Sequence, residues 1–264
     1  NIPRPDTELG KKVRGLFRAP EGYKLVVADY GQMELRILAS YIGFGGLFDG
    51  FQKGIDAHTQ TAALVYGVAV EDVEPWMRKN AKTLNFAIVY GAFEDKVAKT
   101  LKISIEEARE LLADHRKAFP EIYVFKEQVL SKARSRKIPH IFTIFGRKRR
   151  LWNINSDNWG RRSGAERQAV NSLIQGSLGD IIKLAMVRMH KLLSEDAEKN
   201  PGREIHMVLS VHDELVLMAP EDRAEDASVM LQEAMIGQEI QDLIKVPMDI
   251  GVPKIVDRWS DAKE

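Results

Sequence analysis

Two apolar runs in the sequence each lead to a carboxylate. Leu25-Val26-Val27-Ala28 precedes Asp29, and Val208-Leu209-Ser210-Val211 precedes His212 and Asp213. Short runs rich in β-branched residues read as buried strands. Side by side, two such strands bring their acids together, and two close carboxylates repel unless a cation sits between them. Oxygen ligands in a chain without cysteine favour Mg²⁺, with Mn²⁺ the alternative. Two such ions, about 3.5–4 Å apart, can activate an attacking oxygen and stabilise a leaving one in phosphoryl transfer. Glu214, next along, reads as a helper beside the site. Acids also end strands for the plainer reason that turns favour them.

A second set of residues repeats every four positions. Arg78, Lys82, Phe86 and Tyr90 follow this spacing, and each step of four advances about 40° around a helix. Arg78, Lys82 and Phe86 then share one face over roughly 12 Å of axis. That length suits a nucleoside triphosphate: the cations meet phosphates, Phe86 meets sugar and base, and the Tyr90 ring can stack on a base. His58, on the preceding helix, adds a donor. The plainer reading is an exposed basic stripe over core aromatics. A third stripe, Arg167, Asn171 and Gln175, carries long-armed donors that suit the minor groove of a duplex, where every base pair offers acceptors in similar places. A solvent-facing helix side explains it equally.

The elements that must position these groups can be read coarsely. Lys24 to Asp29 is a strand. Residues 56–66 are a helix, and Val73 to Tyr90 another, with Pro75 in its first turn and Gly91 at its end. Ser104 and Glu107 form a capping box for a helix to about Phe119. Pro120 starts the next helix, Ile141 to Phe145 is a short strand before a turn at Gly146, and Gly164 to Leu193 is helical with a break or kink near Gly176 and Gly179. Met207–Val211 and Leu215–Leu217 form a hairpin with acids at its tip, and 222–243 is a last helix. Strands at the two ends of the chain must pair to make a sheet, so the fold class is α+β with an inserted helical subdomain.

At 264 residues the chain can bury a large core or two smaller ones. It contains no apolar run long enough to cross a bilayer and no secretory signal. Lack of cysteine removes disulfides and thiolate-bound zinc and fits a reducing compartment. The net charge of +1 hides a basic segment, Arg134 to Arg150, that contains no acid. Such a run is either a solvated face or a nucleic-acid contact.

Together the motifs resemble the family A DNA polymerases, the group of bacterial DNA polymerase I and many phage replicases. DYGQMELR at 29–36 resembles motif A, RKNAKTLNFAIVYG at 78–91 motif B, and VHDE at 211–214 motif C. DAHTQTA at 56–62, FGRKRR at 145–150 and AERQAVNSLIQG at 165–176 match the flanks. The resemblance implies a right-hand fold with an antiparallel palm sheet: 1–35 and 171–264 as palm, 36–170 as fingers. It implies a template-directed polymerase using two Mg²⁺ ions, primer-template DNA and dNTPs, in the cytoplasm of a bacterium or a phage-infected host.

Position by position, it implies Asp29 and Asp213 as metal ligands with the Tyr30 carbonyl. His58, Arg78 and Lys82 would bind the triphosphate, and Lys82 would also protonate the leaving pyrophosphate. Phe86 would pack on the sugar, Glu34 would exclude a 2′-hydroxyl, and Gln32 would complete the nucleotide site. Tyr90, Arg167, Asn171, Gln175, His212 and Glu214 would contact DNA. Three positions depart from the pattern: Gly31 stands for the usual Ser, Leu173 for a common Pro, and Ser210 for a common Gln. Starting at Asn1, past the family's usual TGR-containing motif, the chain reads as a fragment whose thumb and any exonuclease lie upstream. A single-subunit RNA polymerase is the nearest rival, opposed by Glu34. A degenerate, non-catalytic polymerase domain is a rival of another class, opposed by intact Asp29, Asp213, Arg78 and Lys82.

Overall fold

A computed structural model of the chain describes residues 2–3 and 7–263. The expected palm segment therefore begins in part outside the described residues, at Asn1 and at 4–6. In chain order the elements are α1 (Glu8–Gly15), β1 (Tyr23–Asp29), α2 (Met33–Ile42), α3 (Gly46–Gln52), α4 (Ala57–Tyr66), α5 (Pro75–Val89) and α6 (Glu94–Leu101). There follow α7 (Ile105–Ala118), α8 (Pro120–Arg134), β2 (His140–Phe142), β3 (Lys148–Arg150) and α9 (Trp159–Lys199). The chain ends with β4 (His206–Val211), β5 (Glu214–Pro220), α10 (Ala224–Ile236), α11 (Gln238–Gln241) and β6 (Lys254–Val256). Two compact units result: Asn1–Met33, Gly179–Leu243 and Met248–Glu264 form one, Glu34–Leu178 and Ile244–Pro247 the other.

The first unit is built on a four-stranded antiparallel sheet in the order β4-β5-β1-β6. The strands from opposite ends of the chain do pair, as the α+β reading requires: Val27 lies across from Val216 and Asp29 across from Glu214. Leu25 to Ala28 are all buried, which accounts for a continuous apolar run rather than an alternating one. On one face Leu25, Val27 and Val216 pack with Trp259, and α10 packs against β1 and β5.

Arg223 ties the hairpin to the end of α9. Its side chain is buried and bonds both oxygens of Asp196, at 2.6 and 3.0 Å, and the Arg203 carbonyl at 2.8 Å. Removing one partner of a buried ion pair leaves the other desolvated and uncompensated. Arg223→Leu is expected to cost about 3 kcal/mol, read as a loss in urea-unfolding free energy; an unchanged midpoint would show the pair to be inert.

The second unit is helical. Its core holds Ala133, Ile141, Leu151, Ile154, Ala165, Ala169 and Leu173. The capping box forms as the sequence predicts: the Glu107 N–H donates to Ser104 Oγ at 3.1 Å, and the Ser104 N–H to Glu107 Oε2 at 2.8 Å. Asp56 caps α4 through the Thr59 N–H at 2.7 Å, and Pro75 opens α5.

Of the break or kink expected in α9, the break is absent. Gly176 and Gly179 do not break the helix; α9 runs unbroken from Trp159 to Lys199. Gly176 serves a close approach instead, since a Cβ there would lie 2.7 Å from Thr143 Cγ2, whereas a Cβ at Gly179 would meet nothing within 4 Å. The two positions should therefore respond with opposite signs. Gly179→Ala is expected to stabilise by up to about 1 kcal/mol through helix propensity. Gly176→Ala should destabilise by about 1 kcal/mol because buried Thr143 must move. Thermal melts of both variants check this, and equal shifts would refute it.

The last helix is also shorter than 222–243. It stops at Ile236, and Gly237 turns the chain before α11. A side chain at Gly237 would collide with the Arg188 guanidinium.

Candidate functional site

In the sheet unit, Asp29 is the last residue of β1 and Asp213 the second residue of the two-residue β4–β5 turn. The Tyr30 N–H donates to the Asp213 carbonyl at 3.2 Å, so the backbones carrying the two acids are joined. Both side chains are partly exposed. Among the described residues, three non-glycine residues have positive φ: Gln32 at 54°, Lys102 at 59° and His212 at 58°. Lys102 ends α6 in the ordinary way. Of the other two, His212 adjoins Asp213 and Gln32 lies three residues after Asp29. A left-handed non-glycine residue costs on the order of 1–3 kcal/mol, and such strain clusters at functional sites. Tyr30 is buried, its hydroxyl donating to the Met235 carbonyl at 2.6 Å, and burial pushes its pKa up.

Glu214 was expected at the hairpin tip. It begins β5 instead and is buried, accepting a hydrogen bond from Trp259 Nε1 and lying 3.9 Å from Arg14. The Arg14 guanidinium carbon sits 3.9 Å from the Trp259 ring centroid. Sequence reading missed this cluster because its members are some 200 positions apart. It also missed Asp249, whose carbonyl accepts from the Gly31 N–H at 2.8 Å. A Cβ at Gly31 would lie 3.1 Å from Asp249 Oδ2, so the departure from Ser at position 31 has a steric counterpart.

The donor set suits a hard divalent ion. Among the described residues no group of three or more His, Cys, Asp or Glu is arranged to hold a metal. Two carboxylates and a nearby carbonyl are what Mg²⁺ uses when water and substrate phosphates complete its shell.

In the helical unit, Arg78, Lys82 and Phe86 lie along α5, and Tyr90 caps its end. The Phe86 and Tyr90 rings are 6.2 Å apart and within 14° of parallel, and His58 lies 5.9 Å from Phe86. Lys82 is exposed. Arg78 is not a bare cation: Nε and Nη2 bond Asp56 at 3.1 and 2.8 Å. Burial alone would raise the Asp56 pKa, but Arg78 and the Thr59 N–H and hydroxyl outweigh it and hold the carboxyl well below its usual range. His58 is pushed down to about 4, first by burial, with Asp56 opposing and Arg78 and Lys82 adding to the shift.

Three residues from separate motifs meet in this unit. The Tyr90 hydroxyl donates to Glu34 Oε1 at 3.3 Å, and Gln175 Nε2 donates to the Tyr90 oxygen at 2.9 Å and lies 3.5 Å from Glu34 Oε1. Farther up α9, Arg167 bonds Ser163 Oγ at 2.7 Å. Asn171 Oδ1 is buried with no hydrogen-bond partner among the described residues, an arrangement a ligand donor would relieve. The basic segment forms the β2–β3 ribbon, where Lys148, Arg149, Arg150, Trp152, Asn153 and Gln168 line an open cavity of about 450 Å³.

The comparisons with known proteins agree with one another. DNA polymerase family A matches residues 1–261. DNA polymerase I, thermostable, of Thermus thermophilus is 40% identical over 264 residues, and that of Thermus aquaticus 39%; each match spans 100% of this chain and 30% of the relative. DNA polymerase I of Pseudomonas aeruginosa is 36% identical over 99% of the chain and 27% of its own length. The chain thus spans about a third or less of the relatives it matches. Among solved structures, the POL domain of Pol1 from M. smegmatis, in complex with DNA primer-template and dNTP, superposes with a TM-score of 0.88 at 31% identity. That match covers 100% of this chain and 45% of the other.

Proposed function

From the premise that this chain belongs to DNA polymerase family A, we propose that it carries the catalytic centre of a template-directed DNA polymerase and forms the C-terminal part of a longer protein. Residues 1–35 and 171–264 are its palm and 36–170 its fingers, a division close to that between the sheet unit and the helical unit. The observation that carries the reading is the joining of the backbones of Asp29 and Asp213 at adjacent strand ends, with positive-φ residues at His212, next to Asp213, and at Gln32, three residues after Asp29.

Asp29 and Asp213, with the Tyr30 carbonyl, hold two Mg²⁺ ions. Bound there, the ions supply Lewis acidity for the attacking and leaving oxygens of the transferred phosphate. The residues do the rest. Arg78, Lys82 and His58 grip the triphosphate, Gln32 completes the nucleotide site, and Lys82 protonates the departing pyrophosphate. Phe86 packs on the sugar. Glu34, held by Tyr90 and Gln175, fills the space a 2′-hydroxyl would need. Tyr90 stacks at the template position, and Arg167, Asn171, Gln175, His212 and Glu214 position the primer terminus and nascent pair. Glu214 does so from a buried place, by fixing the hairpin. The DNA and dNTP held by the M. smegmatis domain support these substrates. Among the described residues no helix is long and apolar enough to cross a membrane, and the bacterial relatives support action in the cytoplasm of a bacterial or phage-infected cell.

The test is incorporation by the full-length protein with Mg²⁺ on a primed template, dNTPs against rNTPs. Preference for dNTPs is expected, and Glu34→Ala should reduce it at least about tenfold, as the loss of a steric exclusion worth over 1.4 kcal/mol. Equal use of both by the unaltered protein would favour the RNA polymerase reading, and use of neither a non-catalytic module.

A further inference from the structure

The helical unit contains a buried polar chain that the sequence reading did not foresee. Asn85 lies between His58 and His115: its Nδ2 is 3.1 Å from His58 Nδ1, and its Oδ1 is 3.1 Å from His115 Nε2. The Tyr123 hydroxyl is 3.3 Å from His115 Nδ1. Asn85, His58, His115 and Thr61 are all buried, so each polar atom needs its partner.

The shorter contacts of one hydroxyl set the direction of the chain. Thr61 has a single O–H, and it donates to the Ala57 carbonyl at 2.7 Å. Toward Asn85, Thr61 Oγ1 lies 3.0 Å from Nδ2 and 3.2 Å from Oδ1; with its hydrogen on the closer Ala57 carbonyl it accepts from Nδ2. The second Nδ2 hydrogen then points at His58 Nδ1, which must carry a lone pair. Asn85 Oδ1 accepts from His115 Nε2–H, and His115 Nδ1 accepts from the Tyr123 hydroxyl. In neutral imidazole one nitrogen is donor and the other acceptor. His58 is left with its hydrogen on Nε2.

We propose that Asn85, oriented by Thr61 and by the His115–Tyr123 pair, is a positioning residue that locks His58 as the neutral Nε2–H tautomer, so that its free nitrogen is a permanent donor to a nucleotide phosphate oxygen. The inference rests on the reading of His58 as a phosphate-binding residue. An unlocked imidazole would present a lone pair to an anion part of the time. The charged groups facing His58 are Asp56, Arg78 and Lys82, and Lys126 faces His115. Burial and the cations disfavour imidazolium at both rings.

The first arm of the test reads the tautomer in the unaltered protein and uses a variant only for assignment. In the chain labelled with ¹⁵N-histidine, with His58 assigned by the signals lost in His58→Gln, the imidazole nitrogens should report Nε2–H at His58 from pH 7.5 to 5.5. An Nδ1–H tautomer or a tautomeric mixture would overturn the proposal.

The second arm uses Asn85→Asp in the full-length protein. An aspartate accepts only, so His58 must place a hydrogen on Nδ1. At pH 8 its neutral form then turns a lone pair toward the phosphate, and KM for dNTP should rise about tenfold or more with kcat less affected. Lowering the pH should restore KM as imidazolium forms. A KM equally raised at all pH values would mark a packing role and overturn the proposal. If instead His58→Ala leaves KM for dNTP unchanged while the tautomer is as stated, the phosphate role of His58 is overturned, and with it the function assigned to the lock.

Discussion

Asp213→Ala is expected to abolish primer extension by the full-length protein, by about 10³-fold or more, while the unfolding midpoint stays within a few degrees. The size follows from what the carboxylate does. Without it, one of two anionic ligands of the metal pair is gone, and no other cluster of three or more His, Cys, Asp or Glu among the described residues stands in reserve. The small structural effect follows from place. Asp213 is a partly exposed turn residue whose carbonyl, not its side chain, receives the Tyr30 N–H. Alanine keeps that carbonyl, and the positive φ belongs to His212, not to Asp213. Asp29→Ala should behave alike. The measurement is single-turnover extension at saturating dNTP and Mg²⁺, with unfolding followed by circular dichroism. Extension within tenfold of the unaltered protein would sink the metal-ligand assignment. Loss of activity together with loss of the fold would show a structural carboxylate instead.

The contrast with Glu214 shows what the sequence could and could not tell. VHDE places three polar residues in a row, and periodicity alone puts them all at a hairpin tip. The structure makes the turn only two residues long, and strand alternation then sends Glu214 to the face that holds Trp259. No local signal distinguishes Asp213 from Glu214, because the difference is made by Trp259 and Arg14 at far ends of the chain. The same limit explains α9. Glycine in a helix reads as a break by propensity, but Thr143, 33 residues away, decides what Gly176 is for. What was legible was local or periodic: the buried strand to Asp29, the capping box at Ser104, and the four-residue stripe on α5. Asn85 offered a signal that could have been used. It shares a helix face with buried Ala81 and Ile88, and an amide on an apolar face requires buried partners.

Those partners make the helical unit acid-sensitive. His115 is fully buried and pushed down to about 3, first by burial and then by Lys126; His58 is held at about 4. Both folded values lie below the ordinary 6.5. The unfolded chain therefore binds more protons than the folded one between pH 6.5 and the folded values, and stability falls as pH falls through that window. One pKa unit corresponds to about 1.4 kcal/mol, so the two rings together remove on the order of 5–8 kcal/mol by the acid end. That rivals a typical domain's whole stability of about 5–15 kcal/mol. Urea unfolding of the chain should show stability steady from pH 8 to 7 and then declining steeply toward pH 4. His115→Gln keeps a donor to Asn85 but does not titrate, so it should start less stable at pH 7 and decline by roughly half as much. An equally steep decline in that variant would show that His115 is not the source. The carboxylates that pair with Arg78 and Arg223 act in a different pH range. Those carboxylates have depressed values and lose their contribution only at lower pH, below the ordinary carboxylate range. The pH at which the slope appears therefore separates the two causes.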